Sequence, residues 1–200
     1  MATIDSLLEQ IKHNPASLLR HLPVQAVCQE LKLKWRQRCL DPATTLGLFI
    51  GQIVHGNCSC AQVRHLAGGR VFSAQAYCKA RKRLSLELIK RLSARVCESV
   101  RRQTDASALF AGHRVFLIDG SHVILPDTPV LQKEFGQPSC QKPGCGMPQA
   151  HLLALFDLSS GMLMDVVVSP LRTHDLAKAS ALHPSMRPGD LIVGDTGFSS

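Results

Sequence analysis

Two acidic residues stand where apolar runs end. One is Asp119 in Arg114-Val-Phe-Leu-Ile-Asp119-Gly120-Ser121, and the other is Asp195 in Asp190-Leu-Ile-Val-Gly194-Asp195-Thr196-Gly197-Phe198. A carboxylate at the end of a buried strand is held rigidly, and hard oxygen ligands of this kind suit Mg²⁺ or Mn²⁺. Two of them brought together outline a site for phosphoryl transfer. A single Asp-Gly after an apolar run is by itself an ordinary turn signal. Two such acids at strand ends, separated by a strand–helix–strand crossover, bring the metal reading level with the turn reading.

The elements that must position these acids are strands. Strand-like runs cover Val115–Asp119, His122–Leu125, Ala150–Phe156 and Met162–Val168, and Asp157-Leu-Ser-Ser-Gly161 is a good hairpin connection between the last two. Pro126–Pro148 is rich in Pro, Gly and Gln and reads as a long loop. Thr173–Leu182 reads as a helix, and Leu191–Val193 as a further buried strand. If that last strand lies parallel to the first, Asp119 and Asp195 meet.

Upstream the periodicity is helical. Ile4, Leu7, Leu8 and Ile11 make one face of a short helix closed by Asn14-Pro15. Asp41-Pro42 supplies an N-cap and a first-turn proline for a helix that repeats Leu46, Phe49, Ile50, Ile53 and Val54 up to Gly56. Asn57 or Ser59 can cap a segment running to about Leu66. Ser73 can cap another, which carries Lys79, Arg81, Lys82 and Arg83. Ile89, Leu92, Val96 and Val100 then mark the apolar stripe of a longer helix. The fold class expected is α+β, helical to about residue 110 and sheet-bearing beyond it.

Charge divides at the same place. Residues 1–110 carry 17 Lys and Arg against 7 Asp and Glu, a balance of +10, whereas residues 111–200 carry 6 against 8, a balance of −2. A basic front portion fits a polyanion, and the cluster Lys79, Arg81, Lys82 and Arg83 is the densest candidate for phosphate contact. The helix–glycine turn–helix pattern of 59–84 has a longer connection than helix-turn-helix motifs use. The most apolar stretch, Leu46–Val54, is too short to cross a bilayer, and no signal peptide is evident, so the chain reads as cytoplasmic with reduced thiols. Cys58/Cys60 and Cys140/Cys145, with His55, His65 or His151, do not match zinc-knuckle spacing. His122 and His174 could approach the aspartates, although a surface or capping role is the ordinary fate of such residues.

Several stretches together resemble the DDE transposases of bacterial insertion sequences, in the group with a Tyr/Arg/Glu/Lys signature around its last acid. They are Trp35-Arg-Gln-Arg38, Phe49–Cys60, Ser73–Leu84, Leu117-Ile-Asp-Gly-Ser121, Phe156-Asp-Leu-Ser-Ser-Gly161 and Gly194-Asp-Thr-Gly-Phe198. The resemblance implies an all-helical DNA-binding domain over 1–110 and a ribonuclease H-like α/β domain with a mixed sheet over 111–200. Asp119 and Asp195, 76 residues apart, match the first two acids. With a glutamate from a later helix, they would hold Mg²⁺ (or Mn²⁺) for DNA strand cleavage and transfer. The implied partners are the element's terminal inverted repeats and target DNA, with a homodimer conceivable on DNA, no membrane, and a nucleoid-associated place in a bacterial cytoplasm. The third acid has no counterpart in 111–200, so the domain is expected to be partial and this chain alone largely inactive. The alternative is a non-catalytic truncated product that binds the element's ends and inhibits the intact transposase.

Overall fold

A computed structural model describes residues 22–35, 38–103, 109–142 and 145–195. The expected helix over Ile4–Ile11 lies outside them. The chain forms two compact units, Met1–Val96 and Cys97–Ser200.

The described elements of the first unit are α1 (Val24–Glu30), α2 (Pro42–Val54), a 3-10 helix (Gln62–Leu66), α3 (Ala74–Arg81) and the first part of α4 (Leu86–Gln103). Local chemistry sets their ends. The Asp41 side chain accepts from Thr44 N at 2.7 Å with Pro42 in the first turn, and Gly56 at φ +69° stops α2 just beyond its last turn. Ser73 caps α3 through Ala76 N at 3.0 Å. Helix α2 is apolar on two sides and feeds two cores. Leu46 packs with Val24, Val27, Cys28, Leu88 and Leu92, while Leu48 packs with Val63, Phe72, Tyr77 and Ala80. The stripe of α4 is turned from the expected one: Leu88 and Leu92 are buried, and Ile89 is exposed. Successive helical residues point about 100° apart, so a face centred on Leu88 and Leu92 carries Ile89 outward.

The second unit is a four-stranded sheet in the order β3-β2-β1-β4, with β1 at Val115–Ile124, β2 at Gln149–Asp157, β3 at Met162–Pro170 and β4 at Leu191–Val193. Pairs β1–β2 and β2–β3 are antiparallel and β1–β4 is parallel, which makes the sheet mixed. The two strands expected over 115–125 are one strand. Gly120 and Ser121 do not turn, because the ladder pairs them with Leu153 and Leu152. The region 126–148 is not all loop, since it holds α5 (Pro129–Phe135), capped by Thr128 through Leu131 N with Pro129 in the first turn. The expected helix over Thr173–Leu182 is shorter and tighter: α6 (Leu176–Ala179) passes into a 3-10 helix (Ser180–Ser185) that includes Pro184.

Period-2 alternation gives the sheet two unlike faces. Phe116, Ile118, Leu153, Leu155 and Met164 pack with Leu182 of the crossover segment and Cys97 of α4. Leu117, Leu163, Val166, Val168, Leu191 and Val193 are exposed, and those that pair with β2 do so through its half-buried Leu152, Ala154 and Phe156.

Candidate metal centre

Asp119 lies on β1 and is exposed on the open face, paired in register with Ala154. Strand β4 runs parallel to β1 with Val115 opposite Leu191, Phe116 opposite Ile192 and Leu117 opposite Val193. Asp119 and Asp195 each lie two residues beyond the last of these pairs, and Asp195, which follows β4, is also exposed. Residues level on neighbouring strands share a face, and strands lie about 4.8 Å apart, a span that one hydrated cation bridges. Both acids are exposed, Asp119 within β1 and Asp195 two residues past β4. Two hard carboxylate donors open to water suit Mg²⁺ or Mn²⁺ better than a soft metal, and these residues fit such an ion as two members of its ligand set.

Other candidate ligands go elsewhere. Among the described residues, no group of three or more His, Cys, Asp or Glu is arranged to hold a metal. Asp127 accepts from Gln132 Nε2 at 2.9 Å, and His174 Nδ1 accepts from Leu176 N at 3.4 Å at the start of α6. Asp175 belongs to the packed face, where His151 Nε2 donates to its Oδ1 at 2.6 Å and Ser169 Oγ lies 3.3 Å from His151 Nδ1. The His122 ring stands against that of His151, with centroids 5.0 Å apart. No sequence pattern marked His151 with Asp175: Thr173-His174-Asp175 before a helix reads as a cap, and the pairing exists only through tertiary contact. Of the cysteines, Cys60 lies 3.0 Å, sulfur to sulfur, from Cys78 on α3, and all described cysteines are free thiols.

The four basic candidates share α3 and its C-terminal end but differ in surroundings. Lys79 and Lys82 are exposed. Arg81 is half-buried, its Nη1 donating to Gln52 Oε1 at 2.8 Å and its guanidinium lying 5.8 Å from the Phe49 ring centre. Gln52 also accepts from Tyr77 Oη at 2.8 Å and donates to Cys58 O at 2.6 Å. Burial pushes the Tyr77 phenol up to about 12, so it remains a neutral donor. The exposed Arg83 lies over the Trp35 ring at 5.9 Å, an aromatic partner that sequence spacing does not reveal.

The mixed sheet carries Asp119 within β1, five residues short of the strand's end, rather than at a strand end as the sequence suggests. Residues 110–200 match the family described as Transposase DDE domain. Across 217 aligned residues the chain is 22% identical to "Putative transposase InsZ" of Escherichia coli (strain K12), a match spanning 100% of this chain and 72% of that relative. Both matches are likenesses to transposases, and together they support a kinship with the DDE transposases of insertion sequences. No solved structure matches it significantly, and no helix among the described residues is long and apolar enough to cross a membrane.

Proposed function

We propose that this chain is the front portion of a DDE transposase of the Tyr/Arg/Glu/Lys-signature group. Its first unit would grip the ends of an insertion sequence, and its partial ribonuclease H-like second unit would supply two of the ligands for DNA strand cleavage and transfer. The observation that carries this reading is the parallel β1–β4 register, which ends with Leu117 opposite Val193, two residues before Asp119 and Asp195 respectively. A bound pair of Mg²⁺ or Mn²⁺ ions would lower the barrier to in-line displacement at a phosphodiester by stabilising charge on the entering and leaving oxygens. The protein's part is to hold two carboxylates at fixed separation on a rigid sheet edge, open to a polyanion. Among the described residues no third acid joins these two in a metal-holding group, and the described residues alone should cut DNA poorly. Loss of one charge-stabilising group typically costs about 10²–10³ in rate.

Lys79, Lys82 and Arg83 are the phosphate contacts. Arg81 faces Gln52 and the aromatic rings, and its loss should weaken the first unit's core as well as its charge. The exposed Lys79, Lys82 and Arg83 also fit a second reading, a DNA-binding product that occupies element ends without cutting them.

Incubation with end-bearing DNA and Mg²⁺, beside Asp119→Asn and a version extended through a downstream glutamate, separates the two. Metal-dependent cleavage by the extended form, lost in Asp119→Asn, supports the transposase. Binding without cleavage in every form supports the inhibitor. Binding should weaken with a log–log salt slope of about −0.9 per phosphate neutralised, and Lys79→Ala with Lys82→Ala should flatten it by up to roughly 2 units. An unchanged slope would mean that this face is merely solvated.

A further inference from the structure

The packed face directly behind Asp119 contains a polar assembly that the metal reading does not use. Gly120 follows Asp119 on β1, and its absent side chain would point to that face. A methyl group there would stand 2.7 Å from Asp175 Oδ2 and 2.9 Å from Oδ1, inside van der Waals contact. The backbone at Gly120 is not in the left-handed region, so alanine would meet no conformational penalty there, only the carboxylate. Asp175 is held at this spot by His151, which is 4% exposed and donates from Nε2 across 2.6 Å. With Nε2 protonated, Nδ1 is free to accept from Ser169 Oγ. Ser169 on β3, His151 on β2 and Asp175 at the head of the crossover are thus joined in one chain of hydrogen bonds, whose last member rests on β1 one residue from Asp119.

His151 and Ser169 are buried, at 4% and 3% exposure, on the face of the sheet that also carries Phe116, Ile118 and Leu153, while Asp175 keeps 30% of its side chain exposed. Apolar side chains of similar volume would stabilise such a core at least as well, because burying polar groups costs desolvation. What the polar chain adds is directional: three hydrogen-bonded elements fix where the β1 backbone can lie at Gly120. We infer that Asp175, oriented by His151, is a positioning residue that holds β1 from behind and so fixes Asp119 for metal binding. The inference rests on the reading of Asp119 and Asp195 as ligands. Outer groups that fix a ligand's placement typically govern metal affinity by about 10–100-fold when removed.

Mn²⁺ binding to the whole chain, followed by the paramagnetic resonance of free Mn²⁺ well below each variant's melting temperature, tests it. Gly120→Ala and Asp175→Ala should each weaken binding roughly tenfold or more. Asp175→Asn, which keeps an oxygen acceptor for His151, should retain most of the affinity. Combining Gly120→Ala with Asp175→Ala should do no further harm, since without the carboxylate the methyl has room. A merely structural role would lower the melting temperature and leave the affinity of the folded protein within about twofold, and that result overturns the inference. Binding abolished by Asp119→Asn but unaffected by Gly120→Ala also overturns it while leaving the ligand reading intact. No binding by the unaltered chain removes the ligand reading, and this inference with it.

Discussion

The two faces of the sheet use the same side chain in opposite ways. Asp157, opposite Phe116 in the ladder, is wholly buried on the packed face, while Asp119 is exposed on the open one. Around Asp157 both carboxylate oxygens are engaged. Arg114 Nη1 donates at 2.8 Å, Ser159 and Ser160 hydroxyls each at 2.6 Å, and Ser160 N at 3.0 Å. These bonds pin the β2–β3 turn and tie it to the residue preceding β1. Asp119 is left to water and to whatever cation approaches. A carboxylate built into a network is a structural fastening, whereas one kept on a rigid strand in solvent is available for chemistry.

The largest expected effect tests the fastening. Asp157→Ala leaves the Arg114 guanidinium, 11% exposed, without its carboxylate, and breaking a buried pair in this way costs about 3–5 kcal/mol. Urea unfolding should show that loss, while Asp119→Ala should cost little. Equal losses at the two positions would erase the difference between the faces.

Next in size is the acid limb of stability. Burial alone pushes the Asp157 carboxyl up, but hydrogen bonds from Ser159, Ser160 and Arg114 outweigh it and hold the group below the usual carboxylate range. Because the folded value lies below the unfolded one, the stabilisation is fully present above the ordinary carboxylate range. It is lost as pH falls through that range toward the folded value. Asp157→Asn should flatten this part of the stability–pH curve. If the wild-type and Asn curves run parallel between neutral pH and pH 3, the network does not favour the charged form.

A smaller effect belongs to the open face. In the proposed site Asp119 and Asp195 would repel each other when no cation is near, so Asp119→Asn should hold or slightly raise stability in chelator. Mg²⁺ at ten times its dissociation constant should add roughly 1.4 kcal/mol to the unaltered chain and almost nothing to Asp119→Asn. Thermal unfolding with and without Mg²⁺ reads both. An Asp119→Asn variant that still gains the full increment would place the ion elsewhere.

These contrasts were partly visible in the sequence. The β2–β3 hairpin, the short β4 and the caps at Asp41 and Ser73 follow from local chemistry that survives folding unchanged: alternation, a serine–glycine turn, an aspartate before proline. Strand β1 looked broken because Asp-Gly-Ser favours turns when isolated, yet its backbone groups find ladder partners on β2, and those partners are remote in sequence. Helix α5 was hidden by the proline and glycine around it, although Thr128-Pro129 is a good start signal. The acids of the candidate site could be picked out because each closes an apolar run. The support behind them could not. His151, Ser169, Asp175 and Gly120 lie on four segments, and nothing in any one segment points to the other three.

The smallest expected effect concerns the open face itself. Val166 and Val168 are 40% and 54% exposed, and with Leu117, Leu163 and Val193 they form a continuous apolar surface of a kind that promotes association. Val166→Thr keeps the β-branch and the strand preference and replaces one methyl by a hydroxyl that water can reach. Its cost should therefore lie within about 0.5 kcal/mol, as for ordinary surface changes. Leu155→Ala, on the packed face, should cost about 2–5 kcal/mol. Val166→Thr should also raise the protein concentration at which light scattering begins, because it interrupts the patch without touching the core. A destabilisation above about 1.5 kcal/mol would mean that Val166 is covered in solution, and the two faces would then differ in what packs against them rather than in whether anything does.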